Sequence, residues 1–237
     1  MNRKKCDGMK NLKCLLEKER HKWKAWELIW LLFASAVILG LSLYWGDNWL
    51  GITSALTGVC CVILTGKGKR SSFIFGMVNV LCYIFIALKA KFYGEVMLNL
   101  LYYIPMNVVG WIFWTRNMNR DTGEVVKVRM SVKTSLLIYV GTLLAIGGYG
   151  ILLKYMGGNL PFIDSMSTVV AIVAQILSVK RLAEQWVLWI VVDVVSVIMW
   201  GINFARGGED MATLLMWAVY LANAVIMYIK WMKEAKK

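Results

Sequence analysis

One histidine, two prolines and 14 acidic residues are all that 237 positions hold, and each scarcity removes a class of function. The lone His21 stands in a charged N-terminal stretch, and no His, Cys or acidic cluster has metal-ligand spacing. A Gly-x-Ser-x-Gly elbow and a Walker A loop are both missing, so neither serine hydrolysis nor an ATP-driven step is encoded. Carboxylates and histidines in series, as proton-coupled carriers use, are lacking too. Five cysteines, an odd number, divide between the N-terminal stretch (Cys6, Cys14) and apolar segments (Cys60, Cys61, Cys82), which implies no disulfide framework. No cofactor and no metal are expected.

What is abundant is apolar: 59% of the chain, with 12 Trp, describes a polypeptide whose solvent is mostly lipid. Eight apolar stretches read as spans over residues 26–45, 49–65, 72–89, 92–115, 134–153, 163–179, 186–205 and 211–230, each near the ~20 residues that cross a bilayer core. The first 24 residues read as too long and too charged for a signal peptide's basic region, and the apolar run that follows lacks a small-residue cleavage site, so residues 1–25 are expected to form a cytoplasmic amphipathic tail. Leu12, Leu15, Leu16, Trp23 and Trp26 recur there at helical spacing, as in an amphipathic helix lying on a membrane surface.

The net charge of +13 then becomes a statement about orientation. If all eight stretches span, 23 of the 27 Lys and Arg fall on one side, leaving only Lys89, Lys91, Lys154 and Arg206 opposite. Loops rich in Lys and Arg stay cytoplasmic during insertion, so both termini, including the tail 231–237, are expected inside a bacterial inner membrane. A nucleic-acid partner is excluded, because the basic residues sit in short loops with no soluble domain to carry a binding surface.

Sliding the chain by 114 residues sets Asn79 on Asp193, Phe75 on Trp189, Ser72 on Trp186 and Tyr103 on Trp217. The offset pairs 49–115 with 163–230 and leaves 134–153 as a connector and 26–45 as an extra helix. Four helices, an even number, separate the halves, so the repeats are parallel. The fold expected is all-α, with SWEET-like three-helix repeats joined by a linker helix (3+1+3) plus one N-terminal helix, and a substrate site between the repeats.

Polar groups deep in apolar segments are costly and normally face a cavity or a partner. Trp186, Trp189 and Asp193 share one helical face, continued by Trp200 and Asn203. At ~1.5 Å per residue Asp193 lies ~10 Å inside its helix end, and Asn79 has the matching depth in the first repeat. Gln175 belongs to the same candidate set. In the fourth span Glu95, Asn99 and Tyr102 share a face before Pro105, which removes a backbone donor, frees the carbonyl of Leu101 and implies a kink. Asn107 and Trp111 continue beyond it, and Trp217, Tyr220 and Asn223 mark the equivalent helix of the second repeat. Each has a structural alternative: the Trp pair as an interfacial belt, Asp193 as a tie to Asn79 or Gln175, Glu95 as a partner of Lys89 or Lys91. Together, aromatic faces, carboxylates and amides suit a flat cationic ring with hydroxyl or amide substituents.

At these residues the chain resembles the PnuC family of bacterial vitamin transporters over roughly residues 49 to 231. The most specific part is Gln175-Ile-Leu-Ser-Val-Lys180 followed by Glu184-Gln-Trp186-Val-Leu-Trp189-Ile-Val-Val-Asp193; the family's Trp-x-x-Trp-x-x-x-Asn pattern matches except that Asp193 replaces Asn. The resemblance implies uptake of nicotinamide riboside by facilitated diffusion, with trapping by a cytoplasmic kinase, and a vitamin site on the Trp stripe. Thiamine and riboflavin stay open, as does self-association into a homo-oligomer. The rival readings are a SWEET-type sugar carrier, disfavoured by the buried carboxylate, and a structural membrane subunit, which would not need the polar stripe.

Overall fold

A computed structural model describes residues 23–90, 92–119, 122–156, 161–207 and 211–235; the amphipathic helix expected over 1–25 lies almost wholly outside them. Helix α1 runs Ala25–Trp45, α2 Trp49–Lys67, α3 Ser72–Lys89, α4 over 93–116, α5 Val132–Tyr155, α6 Pro161–Val179, α7 Gln185–Ala205 and α8 Met211–Glu234. Seven of these are long and apolar enough to cross a membrane. In α6 the apolar run is shorter, Ser165–Val179.

Local chemistry fixes the helix ends. Asn48 begins α2 by accepting from the Gly51 amide (2.8 Å), and Ser131 begins α5 by accepting from the Thr134 amide (3.2 Å), each satisfying a donor that the first turn leaves free. Gly68 ends α2 at φ +84°, where a Cβ would be strained, and its amide closes back on the Thr65 carbonyl. The corresponding turn after α6 puts Arg181 at φ +64°, a conformation held by its guanidinium, which donates to the Val126 carbonyl (2.8 Å). Burial pushes the Arg181 guanidinium below its ordinary pKa.

The fourth helix breaks differently from the expected proline kink. Asn99–Tyr103 form a π-turn and α-geometry resumes at Ile104, so the break precedes Pro105 instead of centring on it. A π-turn accommodates the missing proline donor by widening the helix one turn earlier.

Helices pack α2 on α3, α3 on α4, α4 on α6, α6 on α7, α7 on α8 and α8 back on α2, a closed ring of six. Outside it, α1 lies against α2 and α8, and α5 against α6. The ring is tight where small residues allow it: a Cβ on Gly58 of α2 would overlap the Tyr220 hydroxyl of α8 and come within 2.7 Å of Asn79 Nδ2 of α3.

The basic residues gather at one end, called here the basic end. There the chain between α4 and α5 pairs with the turns after both α2 and α6, through Val125 N–H to the Gly68 carbonyl (2.8 Å) and Val128 N–H to the Arg181 carbonyl (3.0 Å). An alternating ionic chain crosses the same end. Glu27 of α1 accepts from Lys230 of α8 (2.7 Å) and from Lys67 of α2; Glu124 faces Lys67 (3.5 Å) and Lys127 (3.3 Å); Lys127 pairs with Glu234. At the other end Asp47 accepts from the Met211 and Ala212 amides (3.1 and 2.8 Å), capping α8 from the α1–α2 loop. Burial pushes the Asp47 carboxyl above its ordinary pKa.

Candidate functional site

The six-helix ring encloses a cavity of about 1090 Å³ of empty space including its mouth, lined from α2, α3, α4, α6, α7 and α8. Neither α1 nor α5 contributes to it. Its walls carry aromatics (Phe73, Tyr83, Tyr103, Trp186, Trp189, Trp217), amides (Asn79, Asn99, Asn107, Gln175) and the carboxylates of Glu95 and Asp193. Among the described residues no Lys, Arg or His lines it.

Asp193 is 3% exposed, and among the described residues no hydrogen bond or ion pair engages its carboxylate. The tie to Asn79 that would make it structural is not formed: Asn79 Nδ2 donates instead to the Ser54 carbonyl (2.8 Å) and hydroxyl (3.1 Å), linking α3 to α2. A buried carboxylate without a cation is costly, and a cation entering the cavity removes that cost. Trp186, also 3% exposed, sits seven residues earlier on the same face and has an unpartnered indole N–H. Trp189 lies between them, half-buried.

The π-turn sets which residues of α4 face inward. Along a regular α-helix, Glu95 and Asn99 would be followed on their face by Tyr102; the wider turn delays the register by one residue, so Glu95, Asn99, Tyr103 and Asn107 all line the cavity at intervals of four. Tyr102 points instead at α6, donating to the Ile172 carbonyl (2.8 Å). Asn99 and Asn107 donate to the carbonyls of Glu95 (2.8 Å) and Tyr103 (3.0 Å) in their own helix.

A family model described as nicotinamide mononucleotide transporter matches residues 48–233. The chain is 36% identical over 220 residues to the nicotinamide riboside transporter PnuC of Neisseria mucosa, covering 91% of this chain and 84% of that one. The chain belongs to the PnuC transporter family. It is thus a multi-pass membrane transporter. The PnuC nicotinamide riboside transporter of Haemophilus influenzae is 33% identical over 91% of this chain and 93% of its own length. A crystal structure of the vitamin B3 transporter PnuC superposes with a TM-score of 0.84 at 35% identity, covering 93% of this chain and 96% of that one.

Of the residues singled out in the sequence, Asn79, Glu95, Asn99, Asn107, Gln175, Trp186, Trp189, Asp193, Trp217 and Tyr220 line the cavity, whereas Tyr102, Trp111, Trp200, Asn203 and Asn223 do not. Asn203 lies half-buried in the last turn of α7, and its carbonyl accepts from the Arg206 amide (3.2 Å). Trp200, on the same stripe, is fully buried and donates its indole N–H to the Tyr83 hydroxyl (2.9 Å). Among residues not singled out, Tyr103 was visible as the repeat partner of Trp217, and Ser196 as the next turn after Asp193. Tyr83 and Cys61 carried no such signal.

Proposed function

We propose that this chain carries nicotinamide riboside across the bacterial inner membrane through the central cavity, with the basic end and both termini in the cytoplasm. The observation that supports this most directly is the charge of the cavity wall: among the described residues it holds two carboxylates, one of them, Asp193, buried and unpartnered, and no Lys, Arg or His. A pyridinium ring is flat and cationic, so Trp186 and Trp189 stack on it and Asp193 balances it. The amides read carboxamide and ribose hydroxyls. A phosphate group would find no Lys, Arg or His among the described lining residues and the carboxylate of Asp193 beside it, so the wall favours the riboside over the mononucleotide that gives the family model its name.

Eight spans and two parallel three-helix repeats suit the same reading. Under the 114-residue offset the packing of α2 on α3 maps onto α6 on α7, α3 on α4 onto α7 on α8, and α4 on α6 onto α8 on α2, so the ring has the contacts expected of a pseudo-two-fold around the cavity. Rocking of the halves about that axis gives alternating access. Transport is facilitated diffusion, and a cytoplasmic kinase makes it cumulative by phosphorylating what has entered.

Proteoliposomes at zero membrane potential test this. Labelled nicotinamide riboside should equilibrate without ATP or an ion gradient, and accumulate only when a kinase and ATP are enclosed. Concentrative uptake that demands a proton or sodium gradient would sink the facilitated-diffusion reading.

A further inference from the structure

The floor of the cavity at the basic end is built from rings in sequence: Phe73 and Trp186 line it, and beneath them lie Trp114 and Trp231, both 0% exposed. Ring centroids are 5.0 Å apart for Phe73–Trp114, 6.2 Å for Trp114–Trp231 and 5.8 Å for Trp231–Trp186, so the four form one continuous plug. The plug belongs to both halves of the ring. Trp114 is in α4 and Trp231 in α8, the third helices of the two three-helix units.

Each of these two indoles reaches across to the opposite unit. Trp114 Nε1 donates to the Ser178 carbonyl of α6 (3.0 Å), and Trp231 Nε1 donates to the Gly66 carbonyl of α2 (2.7 Å). Both acceptors lie in the last two turns of the first helix of the other unit. The two bonds are therefore near-symmetric mates, one at each seam where the halves meet. A tryptophan there supplies two things at once, a plate large enough to block the path and an N–H that pins the plate to the half it must leave when the path opens. Gly66 makes the second seam tight: a Cβ at that position would overlap the Met227 side chain.

We propose that Trp114 and Trp231 are the gate at the basic end, and that opening toward that side requires the Trp114–Ser178 and Trp231–Gly66 hydrogen bonds to part in one movement. The proposal rests on the reading of the central cavity as the transport path. Neither tryptophan touches the cavity, so the gate is separate from the binding wall. Trp186 joins them: its ring belongs to the wall and packs edge-on against Trp231, so substrate stacking on Trp186 is felt at the gate.

Cys61 lines the cavity and is a free thiol, which makes it an internal reporter. With Cys6, Cys14, Cys60 and Cys82 replaced by Ala, Cys61 is labelled with a membrane-impermeant thiol reagent from either side in oriented vesicles. Trp114→Phe and Trp231→Phe keep a ring and remove the N–H; each should speed labelling from the basic side roughly fivefold, the worth of one net hydrogen bond, and the double variant should multiply the two effects. Labelling from the opposite side should not rise, and nicotinamide riboside titrated into the variants should bind as in the parent. Unchanged labelling from the basic side, or an equal increase from both sides, overturns the gate. Failure of the parent chain itself to bind the riboside would overturn the transport reading instead, whatever the labelling shows.

A measurement on the unaltered chain guards against misfolded variants. With indole 15N labelling, the Trp114 and Trp231 N–H protons should exchange with solvent at one common rate that responds to nicotinamide riboside. Two unrelated rates would mean the bonds open separately and would overturn the concerted gate.

Discussion

Glu27 at the basic end and Asp193 in the central cavity are both buried, yet the two carboxylates are treated in opposite ways. Glu27, at 2% exposure, is held between Lys67 and Lys230, and Glu124 and Glu234 share Lys127. Asp193, at 3%, faces an aromatic cavity with no cation among the described residues. The first arrangement closes its own charge and joins α1, α2, α8 and the α4–α5 connection into one cap at the basic end. The second leaves a buried carboxylate with no partner among the described residues. Pairing thus separates a carboxylate that holds the fold from the one that the proposed transport reading gives to a ligand.

The largest effect should come from breaking the paired side. Glu27→Ala takes the nearer carboxylate from buried Lys67 and the ion-pair partner from Lys230, and removal of one partner from a buried pair costs about 3–5 kcal/mol. The thermal midpoint in detergent should fall by many degrees while any surviving protein keeps its riboside affinity. If the midpoint holds, the cap is not a structural element.

Next comes the unpaired side, where the comparison demands the reverse. Asp193→Asn removes a charge that stabilises nothing in the empty protein, so the midpoint should stay or rise. Affinity for nicotinamide riboside should weaken about tenfold, the loss of one cation-directed contact of ~1.5 kcal/mol. A fallen midpoint with unchanged affinity would make Asp193 a structural residue.

An effect of similar size, but on both readouts at once, is expected where α2, α3 and α8 meet. Gly58→Ala puts a methyl against Tyr220 and Asn79, and overpacking of this kind costs about 1–3 kcal/mol. Because both neighbours belong to the cavity wall, affinity should fall with stability, unlike either preceding variant.

The smallest effect belongs to Asp47. Its carboxyl is raised by burial, so the folded chain holds that proton to higher pH than the unfolded chain does. Its contribution is therefore greatest below the ordinary carboxylate pKa of about 4 and declines as pH rises through the raised value. Asp47→Asn keeps an acceptor for the α8 amides and should flatten the stability profile above about pH 4. An unaltered slope would show that the proton resides elsewhere.

The sequence disclosed the elements that obey regular periodicity and missed those that depart from it. Trp186, Trp189 and Asp193 lie on an unbroken α-helix, and their common face could be counted out before any coordinates. The same counting placed Tyr102 inward, and the π-turn over Asn99–Tyr103 moved Tyr103 there instead. Asn203 shares the α7 stripe but lies beyond the cavity's reach, because a face says nothing of how far along it a void extends. Tyr83 and Cys61 stayed hidden, since an apolar or weakly polar residue on a buried face looks the same whether it meets a neighbour or a cavity. Ion pairs such as Glu27–Lys230, 203 positions apart, follow from tertiary packing alone.

The most direct test of an uncompensated, cation-seeking cavity is a parallel calorimetric titration of the purified protein with nicotinamide riboside, nicotinamide mononucleotide and thiamine. Tight binding of the riboside is predicted and none of the mononucleotide, whose phosphate would face Asp193 with no lysine or arginine among the described lining residues to meet it. Mononucleotide binding as tight as that of the riboside would contradict it.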